Sequence, residues 1–146
     1  MVIQFEIEFN DEEVRQLAAL TKGAIRRAQE LTAQEVWGQI GREAPTDHGK
    51  LAGDWTIEAV GETDWRIYTD TEYALWVHDG TGVYGPRGTP IVPRTATHLV
   101  FEWQGREWRL RSVKGQQPNP YADRAMILAE SRTEEFINMA IAEMGL

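Results

Sequence analysis

Apolar and small residues recur at helical spacing from Val14 to Ile40, through Leu17, Ala18, Thr21, Ala24, Ala28, Leu31 and Val36. Asn10 or Asp11 can accept the first free amides of such a helix, and Glu12 and Glu13 suit its first turn. Pro45 ends the pattern, because the residue before a proline avoids the helical region. A helix over Asp11 to Glu43 is roughly 50 Å long at about 1.5 Å per residue. That exceeds what a compact domain of 146 residues needs, so part of it is expected to pack on something else. Gly23 and Gly38 are the places for a bend or a close approach.

The rest of the chain supplies a second layer. Ile3, Phe5, Ile7 and Phe9 alternate with polar residues, the pattern of a half-buried strand. Trp55–Val60 and Trp65–Thr69 alternate around a Gly61-Glu62-Thr63-Asp64 turn, and His98–Trp103 and Glu107–Arg111 around Gln104-Gly105-Arg106. Both read as antiparallel hairpins. Tyr73–His78 between them fits a short helix or strand. Glycines and prolines fill Gly80–Thr97, and helical spacing returns from Asp123 to Met144. The expected architecture is α+β in a single domain, 1–146. It has a long N-terminal helix and a C-terminal helix packed on an antiparallel sheet of about four strands, with a short N-terminal strand and a long Gly/Pro-rich loop.

Composition narrows the function. There is no cysteine, which removes disulfides, thiolate chemistry and zinc–thiolate clusters. The N-terminus does not read as a signal peptide and no apolar run approaches a membrane span. The expected site of synthesis is the cytosol. A net charge of −8 disfavours broad contact with nucleic-acid phosphates. That charge is polarised. Between Thr81 and Gln117 stand six basic residues (Arg87, Arg94, Arg106, Arg109, Arg111, Lys114) against Glu102 and Glu107, a local +4 that leaves −12 elsewhere.

Several chemical motifs fail on context. Gly80-Thr81-Gly82-Val83-Tyr84-Gly85 spells the dinucleotide fingerprint, but Pro86-Arg87-Gly88-Thr89-Pro90 follows where a phosphate-binding helix must start. His48, His78 and His98, with Asp47, Asp54, Asp70 and Asp79, are adequate metal ligands in type but not in spacing, and local turn bonds explain them better. Asp47-His48 and His78-Asp79 are sequence neighbours, whose side chains point apart in extended backbone. Ser112 and Ser131, the only serines, sit in no nucleophile turn. The six tryptophans fit a core and subunit interfaces better than base stacking in so acidic a chain.

Three segments in one order carry a resemblance. Ala44-Pro45-Thr46-Asp47-His48-Gly49-Lys50-Leu51 comes first, and Tyr73-Ala74-x-x-Val77-His78-x-Gly80-Thr81 second. Lys114-Gly115-Gln116-x-Pro118-x-Pro120-Tyr121 completes the set. Over about Glu43 to Ala125 the chain resembles the neck and tail-completion proteins of long-tailed bacteriophages, also described as head–tail joining or minor tail components. It departs from that family's usual residues at His48, His78-Asp79 and Tyr121-Ala122.

The resemblance implies a structural virion protein with no enzymatic activity and no cofactor, in the neck or tail and in the host cytoplasm during assembly. It implies a homo-oligomeric ring, often a hexamer, joining the connector or stopper to the tail tube or tail terminator while DNA passes the lumen without specific binding. The surface expected to meet subunits and partners comprises Trp76, Tyr84, Arg87, Arg94, Arg109, Arg111 and Lys114. Two other readings remain open: a small enzyme or toxin acting on nucleic acid, using His98 with Arg109 and Arg111, and an adaptor or chaperone that never enters the particle.

Overall fold

The structure, a computed structural model, describes residues 1–4, 22–46 and 50–145. The expected strand beyond Gln4, the helix over Asp11–Thr21, and Asp47-His48-Gly49 lie outside the described residues. The chain forms two compact units, Met1–Thr71 with Tyr121–Leu146, and Glu72–Pro120. The fold is mixed α+β, with two small antiparallel sheets.

In the first unit, β1 (Val2–Gln4), β2 (Thr56–Ala59) and β3 (Trp65–Tyr68) form a sheet of order β1-β3-β2. β3 is central, and its fully buried Ile67 stands opposite Ile3 on one side and Ile57 on the other. The Val60 N–H donates to the Asp64 carbonyl at 2.9 Å and closes the β2–β3 turn. The Met1 ammonium donates to the Thr69 carbonyl at 2.7 Å, and the Thr69 N–H returns to the Met1 carbonyl.

Helix α1 (Lys22–Glu43) buries Ala24, Ala28, Thr32, Ala33, Val36 and Ile40; Ala24, Ala28, Val36 and Ile40 are on the predicted stripe, while Leu31 is half-buried and Thr32 and Ala33 take the inner positions beside it. The short α2 (Lys50–Gly53) follows, and the chain returns at α4 (Tyr121–Glu130) and α5 (Thr133–Glu143). Those last helices pack chiefly on α1, not on a sheet. The inner face of α4 is mostly alanine (Ala122, Ala125 and Ala129, with Tyr121 at its start), while α5 buries Phe136 and Ile137 beside Ala140. Trp55 closes the core beside them, edge-on to Tyr121 at 6.1 Å, while the Trp37 indole donates to the Trp55 carbonyl at 2.9 Å.

Two expectations are corrected. The hairpins do not share one four-stranded sheet: β1 takes the place beside β3, and β4 (Leu99–Trp103) with β5 (Arg106–Leu110) forms a separate two-stranded ribbon in the second unit. The C-terminal helix is two helices. The Ser131 hydroxyl donates to the Leu128 carbonyl at 2.6 Å and the Thr133 hydroxyl to the Glu130 carbonyl at 2.8 Å, local bonds that break the helix around Arg132.

Ion pairs clamp α4 and α5 to α1: Arg27–Glu143 at 2.6 Å, Arg124–Glu43 at 2.9 Å and Arg132–Glu35 at 2.9 Å. Hydrogen bonds from Arg132 and Arg27 hold the Glu135 and Glu143 carboxyls below their ordinary value of 4.5. A depressed folded-state pKa adds stability above the unfolded value, and that stability disappears as pH falls through the folded one. The thermal midpoint should therefore drop as pH falls below about 4.5, and the paired change Arg27→Met with Arg132→Met should flatten that drop. A pH–melting profile of the double variant with the same acid slope as wild type would contradict this.

Candidate assembly surface

Every described arginine of the first unit (Arg26, Arg27, Arg42, Arg66, Arg124 and Arg132) lies in an ion pair. Among the described residues, no arginine of the second unit does. That unit has six basic and four acidic residues, a net +2, and leaves −10 to the rest of the chain. It also carries eight exposed large apolar side chains, Tyr73, Leu75, Trp76, Tyr84, Ile91, Val92, Val100 and Trp103, in fewer than fifty residues. Arginine with aromatics, uncommitted inside the chain, is the composition of a binding surface.

The frame that holds these groups is a backbone crossing. Helix α3 (Glu72–Asp79) buries Ala74 and Val77 and leaves Trp76 51% exposed. After it, Gly80–Gly85 crosses Val113–Pro118. The Thr81 N–H donates to the Gln116 carbonyl at 2.9 Å, the Val83 N–H to the Lys114 carbonyl at 2.8 Å, and the Gln116 N–H to the Thr81 hydroxyl at 2.9 Å. Below it the Asn119 N–H reaches the Val77 carbonyl, and Ile91 and Val113 exchange two backbone bonds of 2.9 Å.

The approach is so close that only glycine fits. Gly82 has φ +63°, and a Cβ there would run into the Lys114 carbonyl; Gly115 has φ +97°, and a Cβ would run into the Thr81 carbonyl. The second and third segments of the resemblance thus meet in space. The fingerprint glycines serve this crossing: Gly82–Tyr84 is a single 3₁₀ turn, and Gly85 continues it in extended backbone.

The expected surface residues all fall in this unit. Tyr84 sits on the 3₁₀ turn, with Arg87 just beyond it, and Arg94 lies in the exposed loop before β4. Lys114 is exposed at the crossing, to which it lends its carbonyl. In the ribbon, Leu99 faces Leu110 and Phe101 faces Trp108 on one side; Val100 faces Arg109 and Glu102 faces Glu107 on the other. Arg109 is on that second side and Arg111 just past the end of β5. The structure thus ties Tyr84 and Lys114 to one crossing and puts Arg109 on the ribbon, but gives Trp76, Arg87 and Arg94 no shared contact.

Val100, Trp103 (58% exposed beside the turn) and Arg106, which lies 5.1 Å above the Trp108 ring, stand on the ribbon in addition to the expected surface residues. The Gly/Pro-rich loop over Gly80–Thr97 is held in its first half by backbone bonds to Val113–Gln116 within the chain.

The histidines are placed differently from expectation in one case. His78 and Asp79 lie on a helix, not in extended backbone, and the imidazole Nδ1 meets the Asp79 carboxylate at 2.8 Å. The pair orients a mostly buried ring at the end of α3. His98 Nδ1 pairs with the neighbouring Thr97 hydroxyl at 3.0 Å, and Asp54 accepts from the Thr71 hydroxyl, seventeen residues on, at 3.0 Å. His48 lies outside the described residues. Among the described residues no three His, Cys, Asp or Glu side chains converge, and no helix is long and apolar enough to cross a membrane. Comparison with protein-family models, with curated proteins and with solved structures gave no match.

Proposed function

We propose that the chain is a structural component of a tailed-phage particle, without enzymatic activity. It would form a ring at the head–tail interface and join connector to tail tube. The observation that carries this reading is the contrast in arginine use among the described residues: six paired in the first unit, none ion-paired in the second, where exposed aromatics accompany them. Such a unit presents cations to neighbours instead of spending them on its own fold. The resemblance suggests the head–tail interface, and the charge polarity suggests the docking rule, in which a basic surface on one protein meets acidic surface on the next. The acidic remainder suits a lumen wall, since negative charge lets DNA pass without adhering.

Peptide mass spectrometry of purified virions tests this directly. The chain should be present in a few copies per particle, and simultaneous Arg87→Glu, Arg94→Glu and Arg111→Glu should yield heads and tails that do not join. Normal joining by a folded triple variant, or turnover of a nucleic-acid substrate by the wild type, would overturn the reading.

A further inference from the structure

Among the described residues the β4–β5 ribbon has open edges on both sides. A two-stranded ribbon alone is marginal in water, and the exposed Arg106, Glu107 and Arg109 line its outer edge at β5. The turn between the strands is two residues long, with Gln104 at φ 53° and Gly105 at φ 71°, a geometry that closes on a hydrogen-bonded pair at Trp103 and Arg106. Pairing alternates from there. Arg106, Trp108 and Leu110 bond to β4, and the backbone N–H and C=O groups of Glu107 and Arg109 point outward.

We propose that this edge pairs with the same edge of a second copy, antiparallel and centred on Trp108. Glu107 of each copy then lies directly opposite Arg109 of the other. Both positions are the outward-pointing kind, so each of the two pairs exchanges both backbone hydrogen bonds, and each sets carboxylate against guanidinium. The two Trp108 rings meet between them on the apolar side. The register is self-complementary, as a two-fold contact requires. β4 offers nothing comparable, since the same operation about Phe101 sets Val100 against Glu102.

The ribbon by itself leaves these charges unsatisfied. Glu107 stands opposite Glu102, a like-charge pair that costs stability, and neither Glu107 nor Arg109 has an ion-pair partner among the described residues. Charges on an edge strand usually discourage pairing, but a Glu-x-Arg alternation does not discourage its own antiparallel copy. The contact closes at two chains, so it is separate from any ring contact and does not rest on the neck reading.

Sedimentation equilibrium of the full chain tests it. Wild type should show a reversible doubling of mass, of the single chain or of any ring it forms. Glu107→Arg alone and Arg109→Glu alone should each weaken it about tenfold or more, because two symmetry-related pairs become repulsive. The double swap Glu107→Arg with Arg109→Glu should restore it, an outcome that simple loss of folding cannot produce. Amide exchange at 107 and 109 should slow as concentration rises, while that at 106 and 108 is already slow. A wild-type chain that stays monomeric, or a double swap as weak as the singles, overturns the pairing. Dimerisation with virions lacking the chain would sink the neck reading and leave this one standing.

Discussion

Gly82→Ala and Gly115→Ala should each unfold the Glu72–Pro120 unit. A left-handed backbone costs a residue with a side chain about 1–2 kcal/mol. At these two positions the added methyl also meets a backbone carbonyl that cannot rotate away, Lys114 in one case and Thr81 in the other. Relief requires moving the crossing apart, with loss of the Thr81–Gln116 and Val83–Lys114 bonds. A combined cost of at least about 3 kcal/mol is expected. Gly88 provides the control: its φ is +62°, but nothing lies within 4 Å of its missing Cβ, so Gly88→Ala should cost only the backbone term of about 1 kcal/mol. Amide exchange resolved by segment is the readout. Residues 77–91 and 113–119 should lose protection in the first two variants and keep it in the third, and equal effects at all three positions would refute the crossing.

Trp55→Ala should be the most damaging change in the other unit, by about 3–5 kcal/mol. The side chain is 3% exposed, stands edge-on to the fully buried Tyr121, and fills the space between α1 and the start of α4. Trp37→Phe removes only the indole donor to the Trp55 carbonyl and should cost about 1 kcal/mol. Burial pushes the Tyr121 hydroxyl above its ordinary 10.0, with the Trp55 indole pulling the other way. A raised folded pKa means this stabilisation is complete below 10 and is lost as pH rises above it, so alkaline unfolding should begin at higher pH in Tyr121→Phe than in wild type. Denaturant midpoints in the order wild type, Trp37→Phe, Trp55→Ala, most to least stable, are the expected result.

Local order was legible where local chemistry dictates it. The two hairpins follow from alternation and from turn residues at Gly61–Asp64 and Gln104-Gly105, and α1 from Ala24 to Ile40 follows from spacing. The break between α4 and α5 was hidden because Ala129 and Phe136 keep helical phase across it and neither glycine nor proline marks it. Partition of the strands into two sheets was hidden because alternation says which face of a strand is apolar, not which strand lies beside it. The candidate residues were found by charge and aromaticity. The crossing that positions Tyr84 and Lys114 was missed, since it joins residues more than thirty apart. Its one local trace was glycine on both sides, at Gly80, Gly82 and Gly115.

The proposed role makes the second unit a glycine-locked presenter of arginine and aromatic side chains. Association is then the central expectation, and the light-scattering mass of the purified full chain tests it most directly. The account predicts a closed oligomer at a whole multiple of 16.6 kDa beyond the dimer, dissociating when Arg87, Arg94 and Arg111 are reversed together. A mass that stops at one or two chains at every concentration, unchanged by those reversals, would contradict it.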